Sequence, residues 1–238
     1  MCTVTYLPGG NNKFILTSSR DEQVLRKKAF PPQKYLIDQH AVYYPRDMQA
    51  GGTWIATSES SFTLCLLNGA FQKHVHQPPY SKSRGIMLLD FFKFNDVNVF
   101  TAGYDFNGIE PFTLLLLDNA SHLQLYELRW DGNSTELKEI SSIEPAIWSS
   151  VTLYEPEVIA QREEWFREWL KHNDGNNQDA IVKFHETGGV GNKSIDLLMN
   201  RDNLLRTLSI TSVSNTGSEK LMKYKDVVEN QVYAININ

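Results

Sequence analysis

The residues best suited to chemistry stand at the very start of the chain. They are Met1-Cys2-Thr3-Val4-Thr5, read together with Ser19-Arg20-Asp21-Glu22. Cys2 is small enough for methionine removal, which would place a thiol nucleophile and a free α-amine on one carbon. An α-amine titrates at about 7.7–8.0, so near neutral pH part of it is free base and can serve the thiol. Alone, Met-Cys is an accident of sequence; its neighbourhood decides. Thr3 to Leu7 and Phe14 to Thr17 are β-branched and aromatic, with Pro8-Gly9-Gly10-Asn11-Asn12 between them, the pattern of a hairpin. In a hairpin the end of the second strand returns beside the start of the first, so Ser19, Arg20 and Asp21 are expected next to Cys2. A guanidinium there lowers a thiol's pKa and a carboxylate can hold the amine. The competing reading of Arg20-Asp21 is a solvated turn pair.

The elements that must position these groups follow from the rest of the chain. At 238 residues, 41% hydrophobic and 21% charged, it has the composition of a soluble globular protein able to bury a substantial core. A net charge of -5 argues against nucleic acid or anionic membrane as the main partner. The two cysteines, Cys2 and Cys65, make no disulfide framework and fit a reducing, cytoplasmic setting. No signal peptide or run of about 20 apolar residues is seen, so no membrane insertion is expected. Oligomeric state is not legible.

In chain order, Phe30-Pro31-Pro32 reads as a stiff extended connection, with Arg26 able to face the site. Strands follow at Ala41 to Tyr44, Thr53 to Ala56 and Phe62 to Leu67, the last apolar throughout and so buried on both faces, with Cys65 inert inside it. Asn68-Gly69 at its end is either an amide donor projecting from a rigid element or simply a turn. His74 and His76 lack a third ligand at useful spacing, so no metal is expected there. Ser83 is placed to cap a helix running to Phe94. Val97 to Ile140 reads as strands, including Val99-Phe100-Thr101. Pro156 opens a helix with Val158, Ile159, Trp165, Phe166, Trp169 and Leu170 along one side, ending before Asp174-Gly175. Shorter helices are expected over 178–186 and 194–200. Gly188 to Ser194 fails the phosphate-loop spacing and follows no strand, so nucleotide binding is excluded there. Strands at Leu208 to Val213, Glu219 to Tyr224 and Val232 to Ile237 close the chain, and no internal domain boundary is visible. The whole is expected to be α+β, packed sheets covered by helices.

The order Met1-Cys2-Thr3, Ser19-Arg20-Asp21-Glu22, Ala50-Gly51-Gly52-Thr53-Trp54-Ile55 and Leu67-Asn68-Gly69 resembles the NRDE-motif family, also called the transport-and-Golgi-organisation family. The motif's Asn is Ser19 here. That family is similar to the cysteine N-terminal-nucleophile (Ntn) hydrolases, including penicillin V acylase and bile salt hydrolase. The resemblance implies one domain over residues 1–238, with a four-layer αββα sandwich and no cofactor. It also implies a small-molecule amide or acyl substrate. It makes Cys2 the nucleophile and, through its amine, the base, with Arg20 and Asp21 beside it and Asn68 at the oxyanion. Ser150 falls where the hydrolases keep a second asparagine, and Arg206 is a candidate for their arginine near the C-terminal strands. An amidohydrolase or acyltransferase is therefore expected. The alternatives are a non-catalytic carrier of an acyl or other hydrophobic ligand, or an interaction protein with a vestigial site, for which the departures at Ser19 and Ser150 speak.

Overall fold

The computed structural model describes residues 3–173 and 177–238. Contacts divide the chain into two compact units, one made of Met1–Arg26 with Ile143–Asn238, the other of Lys27–Ser142. Each is built on a seven-stranded antiparallel sheet. Together they carry four helices among the described residues, an α+β composition.

The first unit opens with the expected hairpin, β1 (Thr3–Gly10) and β2 (Lys13–Gln23). Asn11 and Asn12 both take positive φ in its turn, a conformation asparagine tolerates better than most residues. β2 runs six residues past Thr17, so Ser19, Arg20 and Asp21 lie inside a strand and are buried. The solvated-turn alternative for Arg20-Asp21 is thereby excluded.

The unit's later elements are β10 (Ala146–Ser149), α3 (Pro156–Lys171), α4 (Gln178–Thr187), β11 (Asn200–Arg201), β12 (Leu205–Asn215), β13 (Lys220–Asp226) and β14 (Gln231–Ile237). Strand order is β10-β1-β2-β12-β13-β14, with β11 on β12. The strand that begins the chain is thus paired on both edges. Phe166 of α3 and Ile181 and Phe184 of α4 pack on Leu7 and Ile15 of the hairpin. α3 ends at Lys171 with His172 as its C-cap, before Asp174-Gly175 as expected. No helix forms over 194–200; those residues turn back into β11.

The glycine-rich stretch at 188–191 has a packing job. Val190 N–H donates to Asp196 Oδ1 (2.9 Å), and a Cβ on Gly189 would lie 2.1 Å from that same oxygen. Gly189 also sits at φ 144°, so side-chain-free backbone is required twice over.

The second unit holds β3 (Phe30–Ile37), β4 (His40–Arg46), β5 (Ile55–Ser58), β6 (Phe62–Asn68), α1 (Arg84–Phe94), α2 (Val97–Gly103), β7 (Phe112–Asp118), β8 (Gln124–Trp130) and β9 (Thr135–Ile140), the strands ordered as they occur. Phe30-Pro31-Pro32 is part of a strand, not a connection: β3 is an edge strand with a register shift between Phe30 and Gln33, where proline's missing N–H is tolerated. Val99-Phe100-Thr101 is helical, not extended. Asp96 caps the Val99 N–H (2.8 Å), and burial of Phe100 among Phe91, Phe94 and Phe106 overrides the β-propensity of its neighbours.

The Gly51-Gly52-Thr53 motif serves a close approach of backbones in this unit. A Cβ on Gly52 would come within 2.3 Å of the Gly85 carbonyl carbon in the first turn of α1. Because backbone cannot give way as a flexible side chain can, Gly52→Ala is expected to cost about 3 kcal/mol of stability, read as a lower urea midpoint at unchanged slope. A midpoint equal to wild type would mean that this contact carries no constraint.

Candidate active site

The site is best built outward from Thr3. Its register partner on β2 is Ser19 and on β10 is Ser149. Arg20 and Ser150, two of the residues singled out in the sequence, therefore each directly follow a partner of Thr3, one on either side. Cys2 itself lies outside the described residues.

Side chains alternate along a strand, so Arg20 and Asp21 point to opposite faces of the sheet. Asp21 accepts two short hydrogen bonds, from Tyr154 Oη to Oδ2 and from Thr207 Oγ1 to Oδ1, both 2.6 Å. Thr207 Oγ1 in turn accepts from the Met199 N–H at 2.9 Å. A register shift on β12 between Thr207 and Ser209 sets Thr207 opposite Asp21 and Ser209 opposite Arg20. Leu208 is the extra residue of this bulge, so two residues with the same strand parity stand opposite two neighbours on β2.

Ser150 is buried, and its hydroxyl lies 2.9 Å from Thr152 Oγ1. Its carbonyl accepts from the N–H groups of Leu153 and Tyr154, forming the turn that delivers Tyr154 to Asp21. Arg206 pairs in register with Glu22 and with Asn200. Its Nε is buried and makes no hydrogen bond among the described groups. Arg20, Asp21, Ser150 and Arg206 thus gather at one end of one sheet. Arg26 is engaged by Glu22 (3.5 Å).

Asn68 belongs to the second unit. It ends β6 opposite Phe112, and Gly69 after it takes φ 83° and donates its N–H to Pro111 O (3.0 Å). Asn68 therefore stands at the end of a strand, and the positive φ of Gly69 redirects the chain directly after it. In the same unit His74 and His76 each bond Glu110 Oε1, at 3.1 and 3.0 Å, and Arg84 pairs with the other oxygen at 2.9 Å. Burial pushes the Glu110 carboxyl up, but the Arg84 charge and the bonds from His76 and His74 together outweigh it and hold the carboxyl below its usual range. Among the described residues no set of three or more His, Cys, Asp and Glu side chains is placed to hold a metal ion.

Four buried neighbours of these residues escaped the sequence reading: Tyr154, Thr207, Arg162 and His185. Arg162 of α3 is fully buried and donates from Nη1 to Thr3 Oγ1 (2.5 Å), from Nη2 to the carbonyls of Ile195 (2.9 Å) and Asp196 (2.7 Å), and from Nε to Ile195 O (3.0 Å). Its guanidinium lies 3.6 Å from the Tyr154 ring centroid, a cation–π contact. His185 of α4 is fully buried between two hydroxyls, with Nε2 2.8 Å from Thr5 Oγ1 and Nδ1 2.7 Å from Ser19 Oγ. Burial first, and the Arg162 charge second, push its pKa down to about 3. It is therefore neutral, with one hydroxyl donating to it and the other accepting from it. The signal for both residues was periodic: Arg162 is four residues from both Val158 and Phe166 on the buried stripe of α3, and His185 is four from Ile181 on that of α4.

At the other end of the same sheet a cavity of about 470 Å³ is lined by residues including Leu7, Phe14, Ile15, Gln178 and Leu221. It lies about 13 Å along β1 from Thr3 even at Leu7, and so is separate from this cluster.

The family model for Transport and Golgi organisation 2 matches residues 1–238. The chain belongs to that family. In this chain Ser19, which stands where the motif has asparagine, has a defined partner in His185. No functionally curated protein matches its sequence. Among solved structures it is similar to a variant of the conjugated bile acid hydrolase from Clostridium perfringens. There the TM-score is 0.55 at 11% identity, covering 100% of this chain and 93% of that one. It is also similar to the Caenorhabditis elegans ortholog of N-acylethanolamine-hydrolyzing acid amidase. That match has a TM-score of 0.53 at 12% identity, covering 89% of this chain and 92% of the other. At such identities the likeness speaks for fold, and the fold is of the Ntn-hydrolase type. Among the described residues no helix is long and apolar enough to cross a membrane.

Proposed function

We propose that this chain is a cysteine Ntn amidohydrolase or acyltransferase acting on a small-molecule, non-peptide C–N bond. The observation that carries the reading is the register at Thr3, the residue after Cys2 in sequence: buried Arg20 and Ser150 each follow a partner of Thr3, one on either side of β1. The similar structures are described as hydrolases of conjugated bile acids and of N-acylethanolamines, both amides.

In this scheme the free amine of Cys2 accepts the thiol proton and the thiolate attacks the amide carbonyl, forming a C–S bond. The oxyanion is held by hydrogen-bond donors, for which Ser150 is the candidate in the first unit; Asn68 has that role from the family resemblance alone. Collapse breaks the C–N bond, and the Cys2 ammonium returns its proton to the leaving amine. Water, or a second acceptor, then attacks the thioester and restores the thiol. Arg20 supplies a positive charge near the thiol and Asp21 the fixed carboxylate that can orient the amine. Arg206 is proposed to contact the substrate. The reaction needs no cofactor, and we place it in a single domain, in the cytoplasm.

Cys2→Ala is expected to abolish turnover of a panel of N-acyl amides, a loss of at least about 10⁴-fold. Wild-type protein should show an intact mass lacking Met1. Turnover retained in Cys2→Ala would overturn the scheme. A retained Met1 would remove the base and favour a non-catalytic carrier of an acyl or other hydrophobic ligand.

A further inference from the structure

One cross-strand row, Leu7, Ile15, Ser214 and Leu221, runs in register over β1, β2, β12 and β13. All four residues line the cavity of about 470 Å³, a size within the roughly 300–1,000 Å³ of small-molecule sites. Gln178 at the start of α4 lines it too. Its Nε2 donates to the Ser212 carbonyl (3.0 Å) and lies 3.2 Å from Ser212 Oγ, while its Oε1 accepts nothing among the described residues. On this face of the sheet the hydroxyls of Thr3, Thr5, Thr17, Ser19, Thr207 and Ser212 are all hydrogen-bonded. Ser214, two residues beyond Ser212 and so on the same face, is 8% exposed, and its hydroxyl bonds nothing among the described residues. A buried hydroxyl without a partner is costly, and a ligand group that bonds it recovers that cost. Two charges line the same cavity, Lys13 and Glu219. The Lys13 stem lies against the turn that carries Glu219, its Cε 3.8 Å from where a Cβ on Gly217 would stand. Yet neither side chain forms an ion pair with the other or with any described residue. Asn215 fixes that turn, donating from Nδ2 to Asn12 O (3.1 Å) and accepting from the Gly217 N–H (3.0 Å).

We propose that this cavity binds a small zwitterion with an apolar body, the chemistry of a free apolar α-amino acid. The ligand's carboxylate meets Lys13 and its ammonium meets Glu219, the two unpaired charges of the lining. Gln178 Oε1 and Ser214 Oγ are the polar partners among buried residues, and the apolar body covers Leu7, Ile15 and Leu221. The charges decide between ligand classes. A fatty acid would bring a like charge to Glu219 and an alkylamine a like charge to Lys13, whereas a zwitterion satisfies both. The cavity lies about 13 Å along β1 from Thr3, so this site is independent of the reading of Cys2 as a nucleophile.

The test is isothermal titration calorimetry of the full chain at pH 7.5 with L-leucine and L-phenylalanine. Two further probes, 3-phenylpropionate and 2-phenylethylamine, each lack one of the two charges. At least one amino acid is expected to bind at a single site with a Kd below about 1 mM. Each one-charge analogue should bind at least about tenfold more weakly than L-phenylalanine, because one charge-assisted hydrogen bond is lost. Lys13→Gln and Glu219→Gln, both at exposed positions where folding is not at stake, should each weaken the amino acid about tenfold. No saturation by either amino acid up to about 10 mM overturns the proposal. So does equal binding of L-phenylalanine and its two analogues, or an affinity unchanged in both variants. Turnover retained in Cys2→Ala, by contrast, would sink the catalytic reading and leave these titrations as they were.

Discussion

Replacing Asp21 by alanine is expected to lower the unfolding free energy by about 3–5 kcal/mol, because two hydrogen bonds to a buried carboxylate, worth roughly 1.5–3 kcal/mol each, are lost together. Tyr154 Oη and Thr207 Oγ1 would both be left inside the protein without the oxygen they now reach at 2.6 Å. For a protein of ordinary stability, about 5–15 kcal/mol, such a loss removes about a fifth or more of the total. Asp21→Asn keeps one acceptor oxygen but turns an amide N–H₂ toward a hydroxyl that now donates; about half the penalty should remain. Tyr154→Phe removes one donor and leaves the carboxylate its Thr207 bond, so it should cost about 1.5–3 kcal/mol. Urea unfolding of the three variants at pH 7.5 checks the order. An Asp21→Ala loss below about 1 kcal/mol would mean that the carboxylate is not the anchor of this end of the sheet. The same anchor joins β2, β12 and the turn before α3, so turnover should fall in the same order.

How much of this was legible in the sequence depends on how local each determinant is. The first hairpin was readable because its two β-rich runs and the turn between them sit within twenty residues. That in turn fixed Ser19 to Asp21 beside the start of β1. Ser83 and Pro156 marked the starts of α1 and α3 by local backbone chemistry, and both are where the structure begins those helices. The failures were of two kinds. Propensity misled where packing overrides it: Val99-Phe100-Thr101 is helical because Phe100 is needed in the aromatic cluster, and Pro31-Pro32 is tolerated in a strand because that strand is an edge. Partnership over long sequence distance was invisible. Asp21 and Thr207 are 186 positions apart, Ser19 and His185 are 166, and Thr3 and Arg162 are 159. A single sequence carries the periodic position of Arg162 and His185 on buried helix faces but not the strand each will meet. Of the family motif's glycines, Gly52 meets the backbone of α1 at Gly85, a contact equally invisible in a single sequence.

His185 makes the second large prediction, because a buried neutral imidazole is an acid-labile element. Its folded pKa, about 3, lies well below the unfolded value of about 6.5. Between those values the unfolded chain binds the proton and the native one does not, so stability rises with pH through that window. The contribution is fully present above about pH 6.5 and is lost as pH falls toward 3, at about 1.4 kcal/mol per pH unit. From pH 6.5 to 4.5 wild type should therefore lose about 2.5 kcal/mol, before most carboxylates begin to titrate. His185→Gln keeps a donor and an acceptor for Thr5 and Ser19 but cannot be charged. It should be less stable than wild type at pH 7.5 by about 1–2 kcal/mol, yet nearly flat down to pH 4.5, so that the two curves approach or cross on acidification. Urea midpoints at four pH values between 7.5 and 4.5 decide the matter, and a slope in His185→Gln as steep as in wild type would assign the acid sensitivity elsewhere. The crossing matters for function because protonation would oblige Ser19 and Thr5 both to accept and would place a second cation beside Arg162. Acid would then loosen the hold of α4 on β1 and β2 at the strand ends where Thr3 and Arg20 stand. Activity, if it depends on that register, should fall with the same pH dependence as stability in wild type and lose that dependence in His185→Gln.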